Sequence, residues 1–302
     1  ELSMSFIHLR TSSAFSLKYG TTQPQDLVQR AAEFESPALA LTDRDGLSGS
    51  IRFARACLQY GIAPIIGVNL AFDLSKNDLL NDPNSKNSSQ KNISAKDLPR
   101  VTVLAHGDGG WRALVRFMTG LSMNAVDRKP VITLELLQRF SQYSTQLHLL
   151  HGPESPLSQA LVLHRSDIAY ELFNKTRPFF GDQAIDCVSH LVAGKGPFST
   201  THAARSLIFA RDHDIDAVIT NAVRMRDAAD GPVADILDCA RQLVPLHQRH
   251  LERRNAEGYL KSNEQMVSLA AEIARAAGER TPRALLNTTR QWAERALLSP
   301  QR

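Results

Sequence analysis

Apolar runs typical of strands alternate with amphipathic segments typical of helices along most of the chain. The apolar runs predict strands at residues 5–9, 38–42, 62–70, 100–106, 146–150, 183–190 and 216–220. Helical periodicity and cap residues predict helices from residue 24 onward and at 47–60, 109–121, 155–164 and 200–213. This repeated order predicts an α/β fold with either a parallel barrel or a doubly wound sheet.

Two of these helices carry apolar side chains that define a face. Helix 47–60 places four of them at helical spacing, namely Leu47, Ile51, Ala54 and Leu58. In helix 109–121 we expect an inward face formed by Trp111, Leu114, Val115 and Met118.

Two segments depart from the alternation. Residues 74–98 are dominated by Asn, Ser, Lys and Asp, which bury little surface, and we predict a disordered surface insertion there. After Arg226 no strand is predicted, and residues 232–242, 263–277 and 283–298 have the pattern of helices. We therefore divide the chain into a barrel-like domain at 1–231 and a helical extension at 232–302.

The most informative motif is PALALTDRDGLS at residues 37–48. Its apolar run ends in Thr42-Asp43 and turns through Asp45-Gly46 into a helix. Such a strand delivers polar side chains to its carboxyl end, where α/β folds place their chemistry. Asp43 itself fits a simpler role, anchoring the turn or pairing with an arginine.

Four stretches carry a family resemblance: HLRTSSAFS (8–16), LALTDRDGL (39–47), RFARACLQYGIAPIIGVNL (52–70) and VITNAVRMR (218–226). They resemble the N-terminal PHP (polymerase and histidinol phosphatase) region of bacterial DNA polymerase III alpha subunits, and the error-prone type fits best. GYLKSNEQM (258–266) resembles the stretch between that region and the polymerase palm. The resemblance selects a distorted (β/α)7 PHP barrel followed by a helical extension, with 74–98 and 125–180 as its weakest parts.

The resemblance also implies where a metal cluster would lie, and nearly every ligand is replaced here. Of nine ligand positions only His8 keeps a ligand residue type. The others are occupied by Arg10, Tyr19, Arg44, Asn69, Arg100, Pro153, Ala222 and Arg224. Arginine offers no lone pair and stays charged, so it cannot ligate a cation. We expect no resident metal, and manganese or zinc only if this ligand assignment is wrong; an alternative site would have to be rebuilt from His106, His148, His151, Asp43 and Asp45.

Two interpretations fit the arginines. Arg10, Arg44, Arg100 and Arg224 either point outward or pair with local acids, or they converge on the former metal cavity and bind an anion such as phosphate or a nucleic acid backbone. In the second case the resemblance places five further residues around the cavity: His8, Tyr19, Asp43, Asn69 and Asn221.

Composition narrows the picture only a little. The chain has 302 residues, is 43% hydrophobic and has 35 Lys and Arg against 31 Asp and Glu, a net charge of +4. That charge is compatible with nucleic acid and equally with an ordinary soluble surface. Three widely spaced cysteines, Cys57, Cys187 and Cys239, indicate reduced thiols. With neither a signal peptide nor an apolar run of transmembrane length, we expect a cytoplasmic protein and no membrane partner.

Together these observations predict a non-catalytic, metal-free PHP domain of a DNA polymerase III alpha subunit, acting as a scaffold in replication or translesion synthesis. The expected partners are the remaining polymerase domains, the DNA backbone and accessory proteins. The family's magnesium-dependent palm would lie beyond residue 302, so this chain alone is not expected to polymerise. Two alternatives stay open: a metal-dependent PHP phosphoesterase, and a stand-alone protein that binds an anion in an arginine pocket.

Overall fold

A computed structural model describes residues 5–73 and 98–299. Their sheet has seven strands: β1 (Ala38–Leu41), β2 (Ala63–Asp73), β3 (Arg100–Ala105), β4 (Val131–Thr133), β5 (Leu147–His151), β6 (Asp182–Cys187) and β7 (Asp216–Ile219). Six of the predicted strands are confirmed to within a few residues. The predicted insertion at 74–98 lies outside the described residues except for Leu98.

Helices cover the sheet and form the end of the chain. They are α1 (Pro24–Glu33), α2 (Ser50–Tyr60), α3 (Gly107–Met123), α4 (Leu134–Arg139), α5 (Ser141–Ser144), α6 (Pro156–Val162), α7 (Ser166–Thr176), α8 (Thr200–Asp212), α9 (Gly231–Gln242), α10 (Asn263–Ala276) and α11 (Arg283–Ala296). Sequence analysis missed β4, α4, α5 and α7, which all lie within 125–180. No helix in the described ranges has the length and apolarity needed to cross a membrane.

The sheet runs in the order β1-β2-β3-β5-β6-β7, with β4 paired to the far end of β2. It curls into a distorted half-barrel. The predicted α/β class and distorted barrel are confirmed. The parallel order that the alternation predicted does not hold at β3, which is antiparallel to both β2 and β5. β3 begins beside the end of β2, where Ala71 faces Arg100, and therefore has to run back along it. Its first residue thus lies at the edge where the other strands end.

The predicted strand at 5–9 is not a strand. Residues 8–12 form an irregular segment between β1 and the chain that follows β7, and two backbone hydrogen bonds hold it on each side. On one side the amides of Ala40 and Thr42 donate to the carbonyls of His8 (2.9 Å) and Thr11 (2.8 Å); on the other, the amide of Ser12 donates to the carbonyl of Val223 (2.8 Å) and the amide of Val223 to that of Arg10 (3.1 Å). We call residues 8–12 the closing segment, because they extend the sheet toward closure. They also bring their polar side chains to the edge where the parallel strands end.

The buried faces of two helices differ in part from expectation. In α2, Ile51 and Leu58 are 60% and 58% exposed, while Phe53, Ala56 and Cys57 are fully packed. α2 lies between α1 and β2, so tertiary packing selects the face that presents Phe53. In α3, Leu114 and Met118 are buried as expected, but Val115 is exposed and Phe117 takes its place in the core.

The end of the chain packs on the barrel. α10 contacts α8, and α11 contacts β7. Trp292 of α11 is fully buried and donates through Nε1 to Asp216 (2.7 Å). The three cysteines are buried and free. The boundary proposed at residue 231 stays a prediction.

Candidate functional site

Four arginines meet at the edge where the parallel strands end. Arg10 lies in the closing segment, Arg44 just beyond β1, Arg100 at the start of β3 and Arg224 just beyond β7. Arg10 and Arg44 line a cavity of about 10 Å³, roughly the space that one water molecule needs. Its lining consists of Arg10, Ser12, Tyr19, Thr42, Arg44, Asn69, Ala222 and Val223.

Arg10 is buried and holds two carboxylates. Its Nη1 donates to Oδ2 of Asp186 (3.0 Å), and its Nη2 donates to Oε2 of Glu154 (3.1 Å). A Cβ at Gly152 would lie 2.5 Å from Nη1 of Arg10, so this close approach requires glycine. Thr220 adds a hydrogen bond to Asp186 (3.0 Å). Arg10 therefore joins the closing segment to the ends of β5 and β6.

Burial and the guanidiniums act in opposite directions on these two acids. Burial raises the pKa of Asp186 above its ordinary value, and the ion pair with Arg10 offsets only part of that rise. Burial would also raise the pKa of Glu154, but the charges of Arg10 and Arg44 outweigh it and lower that pKa. Glu154 is accordingly the firmly ionised partner of the pair.

Arg100 and Arg224 are also buried and neutralised within the domain. Arg100 donates through Nε to Oδ1 of Asn69 (2.6 Å) and through Nη2 to Oδ1 of Asp45 (2.6 Å). Arg224 forms a two-pronged ion pair with Asp238 of α9, at 2.9 and 2.8 Å. Asp238 is fully buried and also accepts an ion pair from Arg241 (2.8 Å).

Arg44 differs from the other three. Its guanidinium lies 3.4 Å from the centre of the Tyr19 ring, which Arg224 also approaches at 4.1 Å. Within the described ranges that guanidinium makes neither an ion pair nor a hydrogen bond, whereas Arg10, Arg100 and Arg224 each contact a carboxylate. Burial, aided by repulsion from Arg100 and Arg241, lowers the pKa of Arg44. Its charge is the least compensated of the four.

Asp43 is committed to the backbone around it. It accepts hydrogen bonds from the amide of Ser13 (2.6 Å), the hydroxyl of Ser13 (2.9 Å) and the hydroxyl of Ser16 (2.8 Å). Burial raises the pKa of Asp43, and these three donors work against that rise. Asp43 thus anchors the loop that leads from the closing segment to Tyr19.

His8 and Asn221 contact residues 255–261, a segment that we call the strap. The Nδ2 of Asn221 donates to the carbonyls of Glu257 (2.8 Å) and Tyr259 (2.7 Å), and Nε2 of His8 donates to the carbonyl of Lys261 (2.9 Å). Burial lowers the pKa of His8 to about 4, so the ring is neutral near pH 7. The strap therefore contacts two of the residues that the resemblance places around the cavity, His8 and Asn221.

The comparisons with known proteins follow this geometry. A family model described as the PHP domain matches residues 8–190. The chain belongs to the PHP domain family. A DNA polymerase III subunit alpha from Treponema pallidum is 28% identical over 289 residues, covering 95% of this chain and 23% of the relative. An error-prone DNA polymerase from Symbiobacterium thermophilum is 29% identical over 288 residues, covering 90% and 24%.

This PHP domain thus spans about a quarter of the length of those curated relatives. Its matches fall on their N-terminal PHP region. Among solved structures, an amidohydrolase from Chromobacterium violaceum with bound sulfate and no metal is similar at 13% identity and a TM-score of 0.44, covering 72% of this chain and 87% of that one.

The donor set of this PHP domain does not fit the metal cluster that the family implies. Three buried atoms of suitable chemistry at this site, Nδ1 of His8, Oδ1 of Asp186 and Oδ1 of Asn221, lack hydrogen-bond partners among the described residues. No group of three or more His, Cys, Asp or Glu side chains in those residues is arranged to hold an ion. Of the eight ligand positions other than His8, four carry guanidiniums, which repel a cation, and the other four carry Tyr19, Asn69, Pro153 and Ala222.

The histidines considered for a rebuilt site have other contacts. His106 and His148 share a hydrogen bond (2.8 Å), and His151 bonds the side-chain oxygen of Gln183 (2.7 Å). Burial lowers the pKa of both His148 and His151 to about 4.

Sequence analysis missed three acids that complete the arginine site: Glu154, Asp186 and Asp238. Each had a local signal. Glu154 follows Pro153, which the resemblance places at a ligand position, shortly after β5; Asp186 stands between Ile185 and Cys187 in the buried part of β6; Asp238 shares the helical spacing of buried Ala234. These signals mark buried acids without naming their partners, which lie far away along the chain.

Proposed function

We propose that this chain is a non-catalytic, metal-free PHP domain of a bacterial DNA polymerase III alpha subunit, of the error-prone type, acting as a scaffold in the cytoplasm. Its partners would be the remaining polymerase domains, and its process replication or translesion synthesis and repair. The polymerase relatives, which match over 90% or more of this chain, support the assignment.

One observation carries the non-catalytic part. Three of the four arginines at former ligand positions are held in ion pairs with carboxylates of the domain itself. A divalent ion at this edge would have to enter a site already occupied by fixed positive charge. The metal-bound water that metal phosphoesterases activate as a nucleophile would then have no ion to bind to.

The scaffold role follows from what the ion pairs connect. Arg10 links the closing segment to β6 and the loop after β5, Arg100 links β3 to the loop after β1, and Arg224 links the end of β7 to α9. A metal cluster bridges separate strand ends in the same sense. We infer that guanidinium–carboxylate pairs now perform that cross-linking.

The test is a metal titration. The 302-residue chain is incubated with manganese or with zinc, desalted, and assayed for metal content by plasma mass spectrometry and for hydrolysis of bis-p-nitrophenyl phosphate. We expect no stoichiometric metal and no hydrolysis above the buffer blank. A tightly bound ion with metal-dependent hydrolysis would contradict the proposal and favour the phosphoesterase.

A further inference from the structure

We propose that Arg44, with the hydroxyls of Ser12 and Tyr19, binds a non-bridging oxygen of the DNA phosphodiester backbone. This inference rests on the proposed function, because it takes the chain to be part of a DNA polymerase. It differs from the four-arginine pocket of the sequence analysis, since one guanidinium is assigned the contact.

The first reason is the available charge. Arg44 is half-buried and stacked on Tyr19, and in the part of the chain that the structure describes no carboxylate reaches its guanidinium. The negative charge of nearby Glu154 offsets part of the lowering of the Arg44 pKa, but the hydrogen bonds of Glu154 go to Arg10. A guanidinium stacked on a ring keeps its in-plane N–H groups free to donate, which is the arrangement that suits phosphate oxygens.

The second reason is a pair of unused hydroxyl groups. Ser12 is buried and lines the same cavity as Arg44, and its Oγ has no hydrogen-bond partner among the described residues. The hydroxyl of Tyr19 likewise has none within those ranges, and Tyr19 also lines the cavity. Both hydroxyls are therefore available to donate to an oxygen acceptor that enters the cavity.

The size of the cavity selects the form of the anion. At about 10 Å³ it admits about one oxygen atom, so a complete phosphate group does not fit inside. A phosphodiester chain that crosses the mouth can place a single oxygen there while its sugars and bases remain outside. Because Arg44 and Arg224 cover the Tyr19 ring, no base can stack on it, and we expect binding without sequence preference.

Further cations continue the path on the surface. Lys18 is exposed on the loop beside Tyr19, and exposed Arg52 lies 5.6 Å from the centre of the Phe15 ring on the same loop. Neither makes an ion pair with a described residue. Lys18 on this loop and Arg52 of α2 beside it place two further positive charges near Tyr19, which suits an extended, regularly charged ligand such as a DNA strand.

The experiment measures binding of a fluorescein-labelled DNA duplex by fluorescence anisotropy across a series of salt concentrations. We expect Arg44→Gln to weaken binding about tenfold, as loss of a charged hydrogen bond does. The slope of log affinity against log salt should become shallower by about 0.9, the value for one phosphate contact. Arg44→Lys keeps the charge and should restore most of the slope but not all of the affinity.

The matched control is Arg116→Gln. Arg116 of α3 is exposed, and its guanidinium lies 5.9 Å from the centre of the Tyr143 ring. This variant therefore removes the same charge from another arginine–tyrosine contact. It should leave affinity and slope unchanged. Equal loss in both variants, or none in Arg44→Gln, would overturn the proposal.

Two competitors test the identity of the anion at constant ionic strength. Weak competition by inorganic phosphate and by polyglutamate is expected. Displacement by low concentrations of inorganic phosphate would overturn the backbone assignment in favour of a free-phosphate site, and displacement by polyglutamate in favour of an acidic protein partner. The metal titration reports separately on the proposed function, so the two proposals can fail independently.

Discussion

At the scale of single residues, ion pairs between buried arginines and carboxylates hold the arginine site together. Each buried guanidinium requires a counter-charge, and Glu154, Asp45, Asp186 and Asp238 supply it. Removal of one partner from a buried pair is costly, because the other charge is left unpaired in a poorly solvating environment. Exposed pairs lack this sensitivity.

Asp238→Asn tests that difference. Asp238 is fully buried and neutralises both Arg224 and Arg241, so we expect its loss to lower the free energy of unfolding by about 3–5 kcal/mol. Urea denaturation followed by circular dichroism gives the value.

The comparison variant is Asp167→Asn. Asp167 is 66% exposed in its pair with Arg165, and its loss should change stability far less than the loss of Asp238. Similar losses for the two variants would show that burial does not decide the strength of these pairs.

Sequence reasoning identified the arginines of this site but not the acids that pair with them. Family resemblance identified Arg10, Arg44, Arg100 and Arg224, because short motifs carry those positions. Whether an arginine is neutralised depends on acids elsewhere: Glu154 lies 144 positions from Arg10. No local pattern contains that pairing.

At the scale of elements, strand–helix alternation predicted most of the sheet. It failed at residues 8–12, where hydrogen bonds to the chain on both sides determine the backbone conformation. It also failed at β3, because the direction of that strand depends on how it is connected to β2. The exposed Ile51 shows that spacing finds an amphipathic helix without fixing which side is buried. The strap is a further element that hydrophobic periodicity does not detect, since hydrogen bonds to its backbone carbonyls hold it in place.

Asn221→Ala should loosen the strap. Asn221 donates to two strap carbonyls, and their loss leaves both without that donor. We expect faster hydrogen exchange at residues 255–261, with the helices of the barrel unchanged, measured by mass spectrometry of peptic peptides.

The control for that variant is Asn124→Ala. Asn124 donates to the carbonyl of Gly120 at the end of α3, far from the strap in sequence. Its effect should stay local to α3. Uniform acceleration in Asn221→Ala would instead indicate global destabilisation, and an unchanged strap would contradict the anchoring role.

At the scale of the whole molecule, buried histidines make stability depend on pH. Burial lowers the pKa of His8, His148, His151, His190 and His202 to about 4. Between pH 4 and 6.5 the unfolded chain binds protons at these positions and the folded chain does not, so stability falls as the pH falls through that window. Each histidine contributes up to about 1.4 kcal/mol per pH unit. The raised pKa values of Asp43 and Asp186 act in the opposite sense.

His202→Leu isolates one of these contributions. Both ring nitrogens of His202 are buried without partners among the described residues, so a leucine removes a proton-binding group without breaking a hydrogen bond. Urea midpoints measured at pH 5 and pH 7.5 should lie closer together in His202→Leu than in the parent chain. An unchanged difference would mean that His202 does not contribute to the acid sensitivity.

The ion pairs of the former metal centre also constrain evolution. A change of Arg10 to histidine would remove the ion-pair partner that Asp186 and Glu154 share, and a change of Arg224 would leave Asp238 with Arg241 alone. Each single reversion therefore lowers stability before any ligand set is complete. In a lineage where arginines have replaced metal ligands, reversal of the same substitutions one at a time would pass through destabilised intermediates. The loss of the metal site is therefore harder to reverse than to make.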